Sequence, residues 1–63
     1  MTPEQMDKIR FRRGMKFIDR EGVIRRIDGC DFEEHGLYDE QWDAYLIEGV
    51  QRILNPDGTE VEV

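Results

Sequence analysis

The chain has 63 residues, of which 38% are apolar and 38% charged, so it can form one small folded domain over residues 1–63 with little room for a deep catalytic cavity. The net charge of −6 is unevenly distributed, since residues 1–26 sum to +4 and residues 27–63 to −10. No Lys or Arg occurs between Ile27 and Gln51, a charge pattern that bears on partners rather than on fold.

The chain begins with a pattern typical of a short helix. Thr2 can cap the helix, Pro3 suits its first position and Gln5 completes a capping box. We expect this helix to end before Gly14. A β-hairpin is predicted next, with strands over 15–18 and 23–27 joined by a turn at 19–22.

The middle of the chain is less clearly patterned. Residues 28–41 are predicted to be a long polar connection. Residues 42–54 fit a second hairpin, because Trp42, Ala44 and Leu46 alternate and Gly49 can turn the chain, but a helix over 39–54 is the alternative. The β-branched residues in this segment favour strands.

The end of the chain carries a strong turn signal, because Asn55-Pro56-Asp57-Gly58 combines a proline with a glycine that accepts positive φ. Residues 59–63 alternate and predict a final strand. We see no internal repeat. The predicted fold is mainly β, a short N-terminal helix with four or five antiparallel strands in an SH3-like partly open barrel or curled sheet; the alternative is α+β, with the 39–54 helix packed on three strands.

No catalytic pattern is found. Serine is absent, and no glycine-rich phosphate motif occurs. A Cys30–His35 pair is a weak candidate, because Asp28 and Asp31 flank the thiol and oppose thiolate formation. The acids around His35 do not follow the spacing of a calcium loop. We therefore predict a non-enzymatic protein without cofactor or metal.

Two charged features remain as candidate binding sites. The first is a basic segment interleaved with Phe11 and Phe17, which could contact nucleic-acid phosphates and bases. Its cations are Lys8, Arg10, Arg12, Arg13 and Lys16. The second is an acidic set that we predict to form the partner-binding surface: Asp28, Asp31, Glu33, Glu34, Asp39, Glu40, Asp43 and Glu48.

The acidic set could act by competing with nucleic acid. Alternate residues of a strand, such as Asp31 and Glu33, project on one face about 6.7 Å apart. That separation is of the order of the spacing between neighbouring phosphates. A rigid acidic face could therefore occupy a basic groove, with rapid and salt-dependent association. Trp42, Tyr38 or Phe32 could anchor the contact if exposed, although Trp42 fits the core better.

In character the chain resembles the small acidic phage-encoded inhibitors, anti-CRISPR proteins and DNA mimics among them. The features that carry the resemblance are the short serine-free chain and the acid-only stretch from Asp28 to Glu48. The resemblance implies an inhibitor that blocks a host nucleoprotein complex, such as a CRISPR effector complex. The basic N-terminal half departs from a uniformly acidic mimic.

The expected partner is a protein with a basic surface, and the expected state is a monomer. The lone cysteine, and the absence of an apolar run after Met1, favour the cytoplasm, the host's if the protein is phage-encoded. Neither a membrane nor nucleic acid is the favoured partner, since net negative charge opposes polyanion binding. The alternatives are a small nucleic-acid-binding SH3-like module that uses the basic half, and a regulatory subunit of a larger assembly.

Overall fold

The computed structural model describes all of residues 1–63 and contains one short helix, six short strands and a 3-10 turn. The mainly β prediction is confirmed, with six strands instead of four or five, and no α-helix forms over 39–54. In chain order the elements are α1 (Pro3–Asp7), β1 (Lys16–Ile18), β2 (Ile24–Arg26), β3 (Gly29–Asp31), β4 (Gly36–Tyr38), β5 (Ala44–Leu46), the 3-10 turn (Ile47–Gly49) and β6 (Arg52–Leu54).

The predicted capping box forms at the start of α1. The Gln5 backbone N–H donates to Thr2 Oγ1 at 3.1 Å, and the Thr2 N–H donates to Gln5 Oε1 at 2.9 Å. Both bonds satisfy donors that an uncapped helix would leave free. The helix buries Met6 against the core. No helix in this structure has the length and apolar character that crossing a membrane requires.

Two three-stranded antiparallel sheets form the body of the molecule. The first, sheet A, has the order β2-β1-β6, and the second, sheet B, has the order β3-β4-β5. Ile27 and Asp28 join β2 of sheet A directly to β3 of sheet B. The Ile27 N–H donates to Met15 O at 3.0 Å, next to β1, and the Asp28 N–H donates to Tyr38 O at 2.8 Å, in β4. The sheets are therefore two parts of one curled, open arrangement rather than a closed barrel.

Three predictions about strand pairing were wrong. The segment 28–41 is not a polar connection but the hairpin β3–β4, whose glycine-containing strands lack an alternating pattern. Strands β5 and β6 do not pair with each other, because the 3-10 turn carries the chain across so that β6 pairs with β1. Residues 59–63 make only an isolated bridge, Leu54 with Glu60.

The core lies between the two sheets. The inward row of sheet A is Arg25, Phe17 and Ile53, and the inward row of sheet B is Cys30, Leu37 and Tyr45. The core contains nine buried apolar residues: Met6, Ile9, Met15, Phe17, Ile27, Leu37, Ile47, Val50 and Ile53. Because strand side chains alternate, the remaining rows of both sheets face outward.

The turns 19–23 and 39–43 share one hydrogen-bonding pattern. In each, an aspartate Oδ1 accepts from the backbone N–H groups two and four residues further along, at 2.9 and 3.0 Å. Each turn also has a residue at positive φ three positions after the aspartate, Gly22 at 85° and Trp42 at 62°. The sequence similarity behind this structural repeat is slight, since Asp19 and Asp39 are the clearest residues that the two turns share.

Candidate functional site

A buried charged cluster joins the two equivalent turns. Arg25 Nε donates to Asp19 Oδ2 at 2.8 Å, and Arg25 Nη1 approaches Asp39 Oδ2 at 3.5 Å. The Tyr45 hydroxyl donates to Asp39 Oδ2 at 3.3 Å, and the guanidinium lies 5.1 Å from the centre of the Tyr45 ring. Both aspartates are buried. One arginine therefore neutralises part of the charge of two turns that are distant in sequence.

The cluster holds its carboxylates in the charged form. The hydrogen bond from Arg25 lowers the pKa of Asp19 below its ordinary value of 3.8. Burial alone would raise the pKa of Asp39, but backbone N–H donors, Tyr45 and Arg25 outweigh it, so that pKa is also lowered. Burial raises the pKa of Tyr45 above 10.0. The carboxyl pKa values therefore lie further below physiological pH and the tyrosine pKa further above it, whereas a general acid or base works best with a pKa near that pH.

The eight acids of the predicted binding surface are not equivalent in the structure. Asp39 is buried in the cluster, so it cannot contact a partner and its inclusion in that surface was wrong. Asp28 binds Arg26 through both carboxylate oxygens, at 2.7 and 2.8 Å. Asp31 Oδ1 caps its own turn by accepting from two backbone N–H groups. The other five are exposed: Glu33, Glu34, Glu40, Asp43 and Glu48.

The exposed acids lie mainly at two ends of sheet B. Glu33 and Glu34 occupy the β3–β4 turn, and Glu40 and Asp43 occupy the β4–β5 turn. Consecutive hairpin turns lie at opposite ends of the strand they share, so these pairs are separated by the length of β4. The acids therefore do not converge on the single rigid acidic face on which the DNA-mimic interpretation depends.

The outward face of sheet B between those ends is largely apolar. Its two rows are Gly29, Tyr38, Ala44 and Asp31, Gly36, Leu46. A depression of about 260 Å³ lies on this face. The residues that line it include Gly36 and Ala44, the larger apolar side chains of Tyr38 and Leu46, and the carboxylates of Asp31 and Glu34. We call this surface, with the two acidic turns, the sheet B face.

Trp42 projects from the β4–β5 turn beside this face. It is 64% exposed, so the expectation that it belongs to the core was wrong. Its ring lies 5.6 Å from that of Tyr38 and covers Gly29, where a Cβ would come within 2.9 Å of the indole. Its φ of 62° is a conformation that a large side chain rarely adopts. A strained and exposed tryptophan is a candidate binding residue.

The residues of the basic segment, like the acids, differ from one another in burial and contacts. Phe17 is fully buried and cannot stack on a ligand, and Phe11 packs edge-on against Phe32 at 5.8 Å. Arg12 and Arg13 are exposed, and neither takes part in an ion pair. Both line a groove to which Trp42 also contributes.

The weaker chemical candidates do not assemble. His35 Nε2 lies 3.0 Å from Asp7 Oδ1, and this contact fixes the β3–β4 turn to α1. Cys30 is half-buried on the inward row of sheet B, and burial raises its thiol pKa above 9.0, which disfavours the thiolate. No three His, Cys, Asp or Glu side chains come close enough to hold a metal ion.

Comparison with known proteins finds no match to a family model, to a curated protein or to a solved structure.

Proposed function

We propose that this chain is a non-enzymatic protein-binding inhibitor that uses the sheet B face to occupy a cationic site on a partner protein. The observation that carries the proposal is the arrangement of this face, an apolar centre with carboxylates at both ends. Protein interfaces have the same anatomy, an apolar centre surrounded by a polar rim.

The depression suits a lysine or arginine side chain. Tyr38 and Leu46, which line it, can pack along an apolar stem, and the carboxylates of Asp31 and Glu34 can receive the charged group. Trp42 adds a large aromatic surface, the type of residue that often dominates binding energy. Carboxylates at the rim attract a basic surface over a distance and so increase the rate of association.

The finer features of the proposal come from the resemblance to anti-CRISPR and DNA-mimic inhibitors. The cationic site on the partner would be one that normally holds nucleic acid, and a CRISPR effector complex is the candidate partner. The inhibitor would act as a monomer in the host cytoplasm, where a lone Cys30 stays reduced. In this proposal the inhibitor binds its partner through an apolar centre with acidic ends, and not through carboxylates spaced like the phosphates of nucleic acid.

Charge reversal at the two ends of the face should weaken binding without affecting the fold. The double variant Glu34→Lys/Asp43→Lys replaces one exposed acid in each turn. Exposed ion pairs contribute about 0.2–1 kcal/mol each, and reversal adds repulsion, so we expect the affinity to fall about 5- to 30-fold. The measurement is the Kd for the partner, first isolated by affinity purification from the native host, with the melting temperature recorded alongside.

The matched control is Glu4→Lys/Glu62→Lys, which makes the same change in net charge with exposed residues outside the sheet B face. It should retain most of the affinity. Equal losses in both variants would show that only the net charge matters, and unchanged affinity in the rim variant would remove the basis of the proposal.

A further inference from the structure

A groove lined by three arginines lies next to the sheet B face, whose ends are acidic. It has a volume of about 630 Å³ and runs between the loop before β1, the bend from β2 to β3, and Trp42. The side chains that matter to its chemistry are Phe11, Arg12, Arg13, Arg26, Asp28 and Trp42. We call it the arginine groove.

Two of its three arginines are available to a ligand. Arg26 is neutralised by the two hydrogen bonds to Asp28. Arg12 and Arg13 make no ion pair, so their guanidinium groups can donate to an anion. The indole of Trp42, more than half exposed, also lines the groove. Guanidinium groups that match phosphate and an aromatic ring that can stack on a base therefore border one groove.

We propose that the arginine groove binds single-stranded nucleic acid, with the backbone phosphates at Arg12 and Arg13 and a base stacked on Trp42. A duplex is a poorer ligand, because its bases are already stacked on one another and cannot also stack on the indole. A free nucleotide is also a poorer ligand. The cations are exposed and no glycine-rich loop encloses a phosphate, so affinity depends on several weak contacts along a strand.

The net charge of −6 opposes this binding, but the local charge does not. The groove's free cations belong to residues 1–26, which carry +4. The acid within the groove, Asp28, is already paired with Arg26, and the neighbouring Glu40 accepts a hydrogen bond from the Arg26 backbone N–H at 3.0 Å. Repulsion from more distant exposed acids is screened beyond about 8 Å at physiological ionic strength. This proposal shares Trp42 with the sheet B face but does not involve the acids of that face.

The test uses the intrinsic fluorescence of Trp42, the only tryptophan in the chain. Titration with a 15-nucleotide oligothymidylate at 50 mM salt should quench this fluorescence, since a base stacked on the indole provides a quenching path. With two phosphate contacts the affinity should fall about sevenfold between 50 and 200 mM salt. Thymidine monophosphate and a duplex of equal length should bind at least tenfold more weakly.

Two double variants with the same change in net charge separate the groove from a general charge effect. Arg12→Glu/Arg13→Glu should lose at least tenfold in affinity, whereas Lys8→Glu/Arg10→Glu, exposed cations outside the groove, should bind nearly as well as the wild type. Circular dichroism checks the fold of both. An absence of quenching by the oligonucleotide, equal losses in the two variants, or equal affinity for the free nucleotide would each overturn the proposal. The Glu34→Lys/Asp43→Lys variant should not lose oligonucleotide binding, so the two proposals can fail separately.

Discussion

Asp39→Ala is expected to lower the melting temperature more than any other aspartate-to-alanine substitution in the chain. The side chain accepts hydrogen bonds from two backbone N–H groups of its own turn, from the Tyr45 hydroxyl and from Arg25. Alanine would leave these donors without their partner in a buried site, a change that is strongly destabilising when the abandoned group is charged. Thermal unfolding followed by circular dichroism measures the effect.

Asp57→Ala is the appropriate comparison, because Asp57 also accepts hydrogen bonds within a turn but is exposed, and its carboxylate is hydrogen-bonded only to Thr59. It should lower the melting temperature much less. If the two substitutions lower the melting temperature by similar amounts, the charged cluster does not stabilise the contact between the two turns. Arg25 then contributes no more to stability than a surface arginine.

The same cluster predicts how stability depends on pH. Asp19 and Asp39 have pKa values below 3.8 in the folded protein. A depressed carboxyl pKa adds stability that is fully present above the unfolded value and is lost as the pH falls through the folded value. The free energy of unfolding should therefore be constant with respect to these groups above about pH 5 and decrease below pH 4. Urea denaturation at several pH values tests this, and Asp19→Asn should reduce the slope at acid pH.

The elements that sequence reasoning located correctly are those whose signal is local. The capping box at Thr2, the turn at 19–22 and the turn at Pro56 each depend on a few neighbouring residues, and all three form. The β3–β4 hairpin was missed, because strands of three residues that contain Gly29 and Gly36 have no period to detect. Strand partners were also predicted wrongly, since β6 reaches β1 through a 3-10 turn that no local pattern indicates.

The arrangement of the candidate site could not be predicted from the sequence. Most of the acid-only stretch lies in sheet B and its turns, yet only the fold reveals that Asp39 is buried and that Arg26 neutralises Asp28. The position of Trp42 had a detectable signal, because it stands three residues after an aspartate, as Gly22 does in the first hairpin. Recognising that spacing would have placed the tryptophan at a turn position where glycine is favoured.

Trp42→Gly is expected to abolish most partner binding while leaving the fold intact. Glycine adopts a φ of 62° without strain, which should recover about 1–2 kcal/mol of the free energy that an L-residue loses in this conformation. The substitution also removes the packing of the indole on Gly29 and Tyr38, a loss of comparable size. The free energy of unfolding should therefore change by less than about 1 kcal/mol. An aromatic anchor contributes about 2 kcal/mol or more to binding, so affinity for the partner should fall at least about 30-fold.

A large loss of partner affinity with little change in the free energy of unfolding distinguishes a binding residue from a structural one. A tryptophan retained for stability would produce a clear loss in the free energy of unfolding when replaced by glycine, and partner affinity would fall only as far as the folded fraction does. Ile24→Ala serves as the control, because Ile24 is also a large exposed apolar residue but lies on sheet A, and its loss should leave partner affinity unchanged. If Trp42→Gly binds the partner as tightly as the wild type, the strained turn has no role in recognition, and the sheet B face loses its aromatic anchor.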